Sequence, residues 1–242
     1  MKRYLPIAII AGVLILALGG GLILWQATRQ TPAKTPEQSF VPATPTPTAP
    51  QASPTATPAT QQSPTPAAAD NAHARGALNA KVTLEEYGDY QCPSCGTVFF
   101  LLKNLEKDYS DRVRFVFRQY PLPGHKHAMI AAQAAEAADL QGRFWEMHDM
   151  IYENQANWSA AEDARVYFLQ YARNLGMDVD QFNRDMNSPE VSRRVLTDKE
   201  MGTRAGVSGT PTIFINGQQV RPEVVTDEGL RMALNYMLGK TK

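Results

Sequence analysis

Between Thr28 and Ala69 the chain carries ten of its 17 prolines and only three charges, Arg29, Lys34 and Glu37. Each proline fixes its own φ and pushes the residue before it toward extended backbone. The threonines and alanines in between offer too little apolar surface to offset the entropy of ordering. No compact fold can run through such a stretch. It predicts a disordered, semi-rigid Pro/Thr/Ala-rich linker over residues 28–70, with a reach on the order of 130 Å at about 3.1 Å per residue. The flanking parts, 1–27 and 71–242, must therefore be read separately.

The first part is apolar. Leu5 to Trp25 are 21 residues without a charge, about 30 Å of helix, which matches the hydrocarbon thickness of a bilayer. A cleaved signal peptide is the competing reading. Such peptides have an apolar region of about 7 to 15 residues and a small-x-small cleavage site, whereas here the run continues through "GGGLILW" into "QATRQ". Residues 1–27 are read as a signal-anchor, a single transmembrane helix. Lys2 and Arg3 precede it, so the positive-inside tendency leaves the N-terminus in the cytoplasm and the remainder outside the cell membrane.

The third part is long enough for one domain with a sizeable core. From Asp70 onward it holds 20 basic and 23 acidic side chains, a net of −3, with no basic cluster to suggest a nucleic-acid partner. "KVTLEEYGDY" reads as a strand ending at Gly88. Past Pro93, Val98, Leu101, Leu102 and Leu105 fall on one helical face. "RVRFVFRQY" alternates as a second strand, its arginines on a wetter face, which completes a βαβ unit. Four or five helices follow, in which His148 shares a packed face with Phe144, Trp145, Ile151 and Tyr152, and His125 and His127 take turn or capping roles. Strand character returns at "TPTIFINGQQV", with Asn216-Gly217 suited to a type I′ hairpin turn, and a helix from Asp227 to about Leu238 closes the pattern.

Cys92 and Cys95 are the only cysteines. A structural zinc site needs four ligands, and two sulfurs with scattered histidines do not supply them. A disulfide closing a loop of two intervening residues removes little entropy from the unfolded chain. Redox chemistry is what the spacing suits best. At a helix start Cys92 meets unpaired N–H groups and the positive end of the dipole, which stabilise a thiolate. Cys95, a turn later, can close a disulfide with it or resolve a mixed one. Pro93 and Ser94 between them tune that geometry.

The stretches "VTLEEYGDYQCPSC", "FRQYPLPGHKHAMIAAQAAEAADLQGRFWEMHD" and "GVSGTPTIFINGQQV" resemble, in that order, the DsbA-like thiol:disulfide oxidoreductases of the thioredoxin superfamily. The resemblance implies an α/β, thioredoxin-like fold with a helical domain inserted at about 122–207, which accounts for the 115 residues separating Cys95 from Pro211. It makes Cys92 the exposed nucleophile and Cys95 the resolving thiol. Pro211 becomes a cis proline opposite them, with Thr210 offering backbone groups to substrate. Glu86 becomes the buried acid that handles protons for Cys95, against the plainer reading of an exposed strand carboxylate. No cofactor and no metal are called for. The implied activity is exchange of the Cys92–Cys95 disulfide with reduced extracytoplasmic proteins, in the oxidase direction, recharged by a membrane quinone-linked partner. A tethered reductase or isomerase, and a non-catalytic peptide-binding or chaperone module, are the alternatives.

Overall fold

The computed structural model describes residues 73–240. β2 (Val82–Gly88) and β3 (Val113–Gln119) pair in parallel, joined by helix α1 (Pro93–Tyr109). β4 (Thr212–Ile215) lies antiparallel on the other side of β2, and the short β5 (Gln218–Gln219) pairs with it. The hairpin between them turns at Asn216 and Gly217, both at positive φ, as the type I′ reading requires. β1 (His73–Gly76) runs antiparallel along the free edge of β3, so the sheet order is β1-β3-β2-β4-β5.

Side chains alternate across a strand, and the sheet uses both faces. Val82, Leu84, Val113, Phe115, Ile213 and Ile215 face α1 and the last helix, α8 (Asp227–Lys240), which contributes Leu230 and Leu234. Glu86 follows Leu84 by two and so continues the α1 face of β2. Between β3 and β4 come six helices: α2 (Ala128–Asp139), α3 (Phe144–Glu153), α4 (Gln155–Trp158), α5 (Arg165–Asn174), α6 (Val179–Met186) and α7 (Pro189–Arg204). The thioredoxin-like fold with an inserted helical domain is therefore present, the helices spanning slightly less than the expected 122–207. One core runs from Cys92, Cys95 and Phe99 through Phe117 into Met147, Trp158 and Phe168 of the insertion. The sulfurs lie at the seam.

One strand was not foreseen, and two sequence expectations need correction. β1 carries polar residues that no apolar periodicity marks. It is held by distant partners: His73 stacks on Phe144 and donates from Nε2 to Glu136 Oε1 at 2.8 Å. The arginine face of β3 is not wet at Arg118, which is 4 % exposed because α7 covers it, with Asp198 Oδ1 at 3.1 Å and Glu85 Oε1 at 2.8 Å. His125 and His127 lie in the turns before α2, as expected, but neither side chain caps the helix. His127 sits at the start of α2 without a capping bond and donates instead to the Ala161 carbonyl. Among the described residues no helix is long and apolar enough to cross a membrane; the signal-anchor and linker readings lie outside them.

Candidate active site

Cys92 is the N-cap of α1, with Pro93 at its first helical position, where a missing N–H leaves no bond unmade. Both sulfurs are free, so this is the dithiol form. Cys95 is fully buried, and the Asp89 N–H points at its sulfur at 3.5 Å. Cys92 is 6 % exposed, less open than an exposed nucleophile, because the chain at Thr210 comes down on it: its thiol reaches the Thr210 carbonyl at 3.5 Å. Pro93 and Ser94 are the exposed members of the turn. The Thr210–Pro211 peptide is cis. Thr210 Oγ1 is buried with no partner of its own, and its O–H can turn toward the Cys92 sulfur.

The two sulfurs have opposite proton affinities. The Cys95 thiol, donating to Cys92, is the largest influence bringing the Cys92 pKa down to about 5; burial opposes it, and the Cys95 and Ser94 N–H groups assist. The helix start thus acts through discrete donors, with the neighbouring thiol ahead of them. Cys95 is pushed far above the usual thiol range, first by burial, then by donating to Cys92 and by the nearby Glu86 charge. Glu86 lies under this pair, 4 % exposed, which overturns the plain reading of an exposed strand carboxylate. Burial raises its pKa to about 8; Arg75 pulls it down and Cys92 pushes it up.

Several residues that hold the turn were not visible in the sequence. The buried Asp89 carboxylate accepts from the Gln91 and Leu122 N–H groups and from His125 Nδ1, at 2.7, 2.8 and 2.7 Å, tying the cysteine turn to the loop after β3. Gln155, at the start of α4, donates from Nε2 to the carbonyls of Tyr90 and Cys92 at 2.6 and 2.9 Å. Gln91 Nε2 donates to the Ser159 carbonyl at 2.8 Å. Asp89 sits three residues before Cys92, a position a search for capping and turn residues could have reached. Nothing local marks Gln155, which is 60 residues away. Among the described residues no three His, Cys, Asp or Glu side chains gather as a metal site.

Residues 68–236 match the sequence profile of a family described as thioredoxin. The chain belongs to the thioredoxin family. Solved structures share its fold. A thioredoxin-like oxidoreductase from Silicibacter pomeroyi DSS-3 is 29 % identical at a TM-score of 0.59, covering 69 % of this chain and 91 % of that one. BdbD from Bacillus subtilis, at 22 % identity and a TM-score of 0.61, covers 69 % of this chain and 92 % of its own, and shares the fold. Among curated proteins, 151 residues are 39 % identical to a protein of Salinispora arenicola named Na(+)/H(+) antiporter NhaA 1, covering 62 % of this chain and 22 % of that protein. A Salinispora tropica protein named Na(+)/H(+) antiporter NhaA 3 matches at 40 % over the same extent. This thioredoxin-family chain spans only about a fifth of the length of those relatives.

Proposed function

We propose that the protein is a membrane-tethered thiol:disulfide oxidoreductase that passes the Cys92–Cys95 disulfide to reduced proteins outside the cytoplasm. The observation that carries this reading is the asymmetry of the sulfurs at one helix start: Cys92 is poised as a thiolate near pH 5, while Cys95 beside it is buried and keeps its proton. A stabilised thiolate favours the reduced enzyme and so makes its disulfide oxidising, which supports the oxidase direction over a reductase or isomerase.

In the forward reaction a substrate thiolate attacks Cys92, the Cys92–Cys95 bond breaks, and Cys95 leaves, taking a proton from Glu86. A second substrate thiol, as its thiolate, then attacks the mixed disulfide and releases the Cys92 thiolate. The substrate has lost two electrons and gained a disulfide, and the enzyme is reduced, with Cys92 a thiolate, Cys95 a thiol and Glu86 a carboxylate. The Thr210–Pro211 segment is the surface along which an extended substrate strand would lie. The reduced enzyme then needs an oxidant, for which a quinone-linked membrane protein is the partner of matching chemistry. The apolar Leu5–Trp25 run and the proline-rich linker after it supply tether and reach. Relatives that carry a matching domain as about a fifth of a protein named as an antiporter also favour work at a membrane.

Replacing Cys95 by Ser removes the resolving thiol, so reduced protein substrates, supplied with an oxidant, should accumulate as mixed disulfides on Cys92, visible as adducts on non-reducing gels. Absence of any adduct, or undiminished activity of Cys92→Ser, would leave the peptide-binding module as the better reading.

A further inference from the structure

Glu86 Oε1 is buried and has no hydrogen-bond partner. Beside it is a cavity of about 20 Å³, enough for one water molecule. Its walls include Glu86, Arg75, Glu106, Phe99, Leu102 and His148. Glu86 is the deep member, whereas the Arg75 and Glu106 side chains are 20 % and 19 % exposed and joined by an Arg75 Nε to Glu106 Oε1 bond of 2.8 Å. Arg75 is also fixed from above and beside: its guanidinium lies 4.2 Å over the Trp145 ring and reaches Asp149 Oδ1 at 3.2 Å. A small, largely apolar cavity thus has in its walls both the residue whose buried carboxyl oxygen lacks a partner and a partly exposed second acid.

We propose that this cavity is the proton port of Cys95: one water in it connects Glu86 Oε1 to Glu106, the outer relay, and Arg75 positions Glu106. The inference rests on the exchange reading above and adds to it the route by which protons reach Glu86. When the reduced enzyme meets a disulfide, the Cys92 thiolate attacks one sulfur, that S–S bond breaks, and a thiolate leaves. Once Glu86 has released its own proton through the port, Cys95 gives its proton to the Glu86 carboxylate and attacks Cys92 Sγ, closing the Cys92–Cys95 bond and expelling the second thiolate. Two electrons have passed to the external disulfide, and the proton on Glu86 leaves through the water and Glu106. In the opposite direction the same port brings a proton in. The groups bearing on Glu86 are Arg75 from β1, Cys92 and Cys95 from the turn and α1, Tyr90 ahead of them, and Tyr152 from α3. His148 from α3 and Glu106 from α1 share the cavity. Burial raises the Glu106 pKa, which suits it to hold a proton in transit.

The test uses the reduced full chain and oxidised glutathione, with the two steps separated by rapid acid quench and mass measurement. Glu106→Gln should slow ring closure by Cys95 about tenfold, less than the roughly 100-fold or more expected of a direct acid or base, and leave the Cys92 attack unchanged. In a Glu86→Gln background the same change should add nothing, a non-additivity that general loosening of the fold does not produce. Leu102→Phe, which places a ring in the cavity without altering charge, should slow closure alone as well. An unchanged closure rate in Glu106→Gln, or an equal slowing in the Glu86→Gln background, overturns the port. Should Glu106→Gln not fold, Leu102→Phe decides: selective slowing supports the port and an unchanged closure overturns it. A wild-type chain that does not react with glutathione at all sinks the exchange reading instead.

Discussion

Glu86 shows how one alternation in a strand decides a chemical role. It follows Leu84 by two residues, so it must point to the α1 face, where its surroundings include the cysteine turn, aromatic and aliphatic side chains, Arg75 and Glu106. Its pKa goes from 4.5 to about 8 in the fold, so the protonated acid is the favoured native form. The sign is that of a raised pKa: the contribution of Glu86 is fully present below pH 4.5 and is lost as pH rises through about 8. Glu86→Gln removes that dependence. It should match the wild type near pH 4.5 and exceed it at pH 8 by several kcal/mol, because each tenfold change in proton affinity between the unfolded and folded chain is worth about 1.4 kcal/mol. Urea melts at the two pH values read the difference. Equal pH slopes would place Glu86 in a wetter setting than the structure does. At this scale the spacing in the sequence named both cysteines, and the family resemblance named Glu86, Thr210 and Pro211. The sequence was silent on Asp89, Arg75 and Gln155, whose work is done for backbone groups or cavities assembled from distant segments.

Helix α4 is four residues long, too short to leave a periodicity, yet it sets the first turn of α1. Gln155 occupies the space beside Gly96: a Cβ there would lie 2.5 Å from Gln155 Oε1. In an isolated helix Gly→Ala stabilises by roughly 0.5–1 kcal/mol. Here Gly96→Ala should instead destabilise by about 1–2 kcal/mol, because it displaces a carboxamide serving two carbonyls at 2.6 and 2.9 Å. In Gln155→Ala the clash is gone, and the same glycine substitution should revert to a gain. Thermal melts of the two single variants and the double close the cycle; a loss that persists in the Gln155→Ala background would mean that something other than this clamp needs the glycine. The other helices were legible because each turns an apolar stripe to one of the two cores. β1 was not, because two of its four residues, His73 and Arg75, fasten it through ion pairs and ring contacts with side chains far along the chain.

Taken whole, the molecule has to keep a helical insertion fixed on a sheet so that the candidate site at the seam between them holds its geometry. Much of the joint is apolar, but one buried polar joint locks it. Arg118 of β3 bonds Glu85 of β2 and Asp198 of α7, and Asp198 Oδ2 also accepts from the Gln119 N–H at 3.1 Å. The chain order βαβ, helices, hairpin was readable from period and turn chemistry, whereas this joint was not, since an alternating arginine on a strand looks like a solvent face until α7 is placed over it. Burial raises the Asp198 pKa to about 6 even against the pull of Arg118, which shows how dry the site is. Asp198→Ala leaves Arg118 with one anion where it had two and orphans a buried N–H, and losing one side of a buried ion pair costs about 3–5 kcal/mol. With a slope of about 2 kcal/mol per molar urea, the unfolding midpoint should fall by roughly 1.5–2.5 M. Because the core containing Cys92 and Cys95 continues into the insertion, the loss should appear as one earlier transition, with Cys92 alkylation and far-ultraviolet circular dichroism changing together. A helical insertion that melts first while the sheet and its thiols stay protected would show that the joint holds two independent lobes.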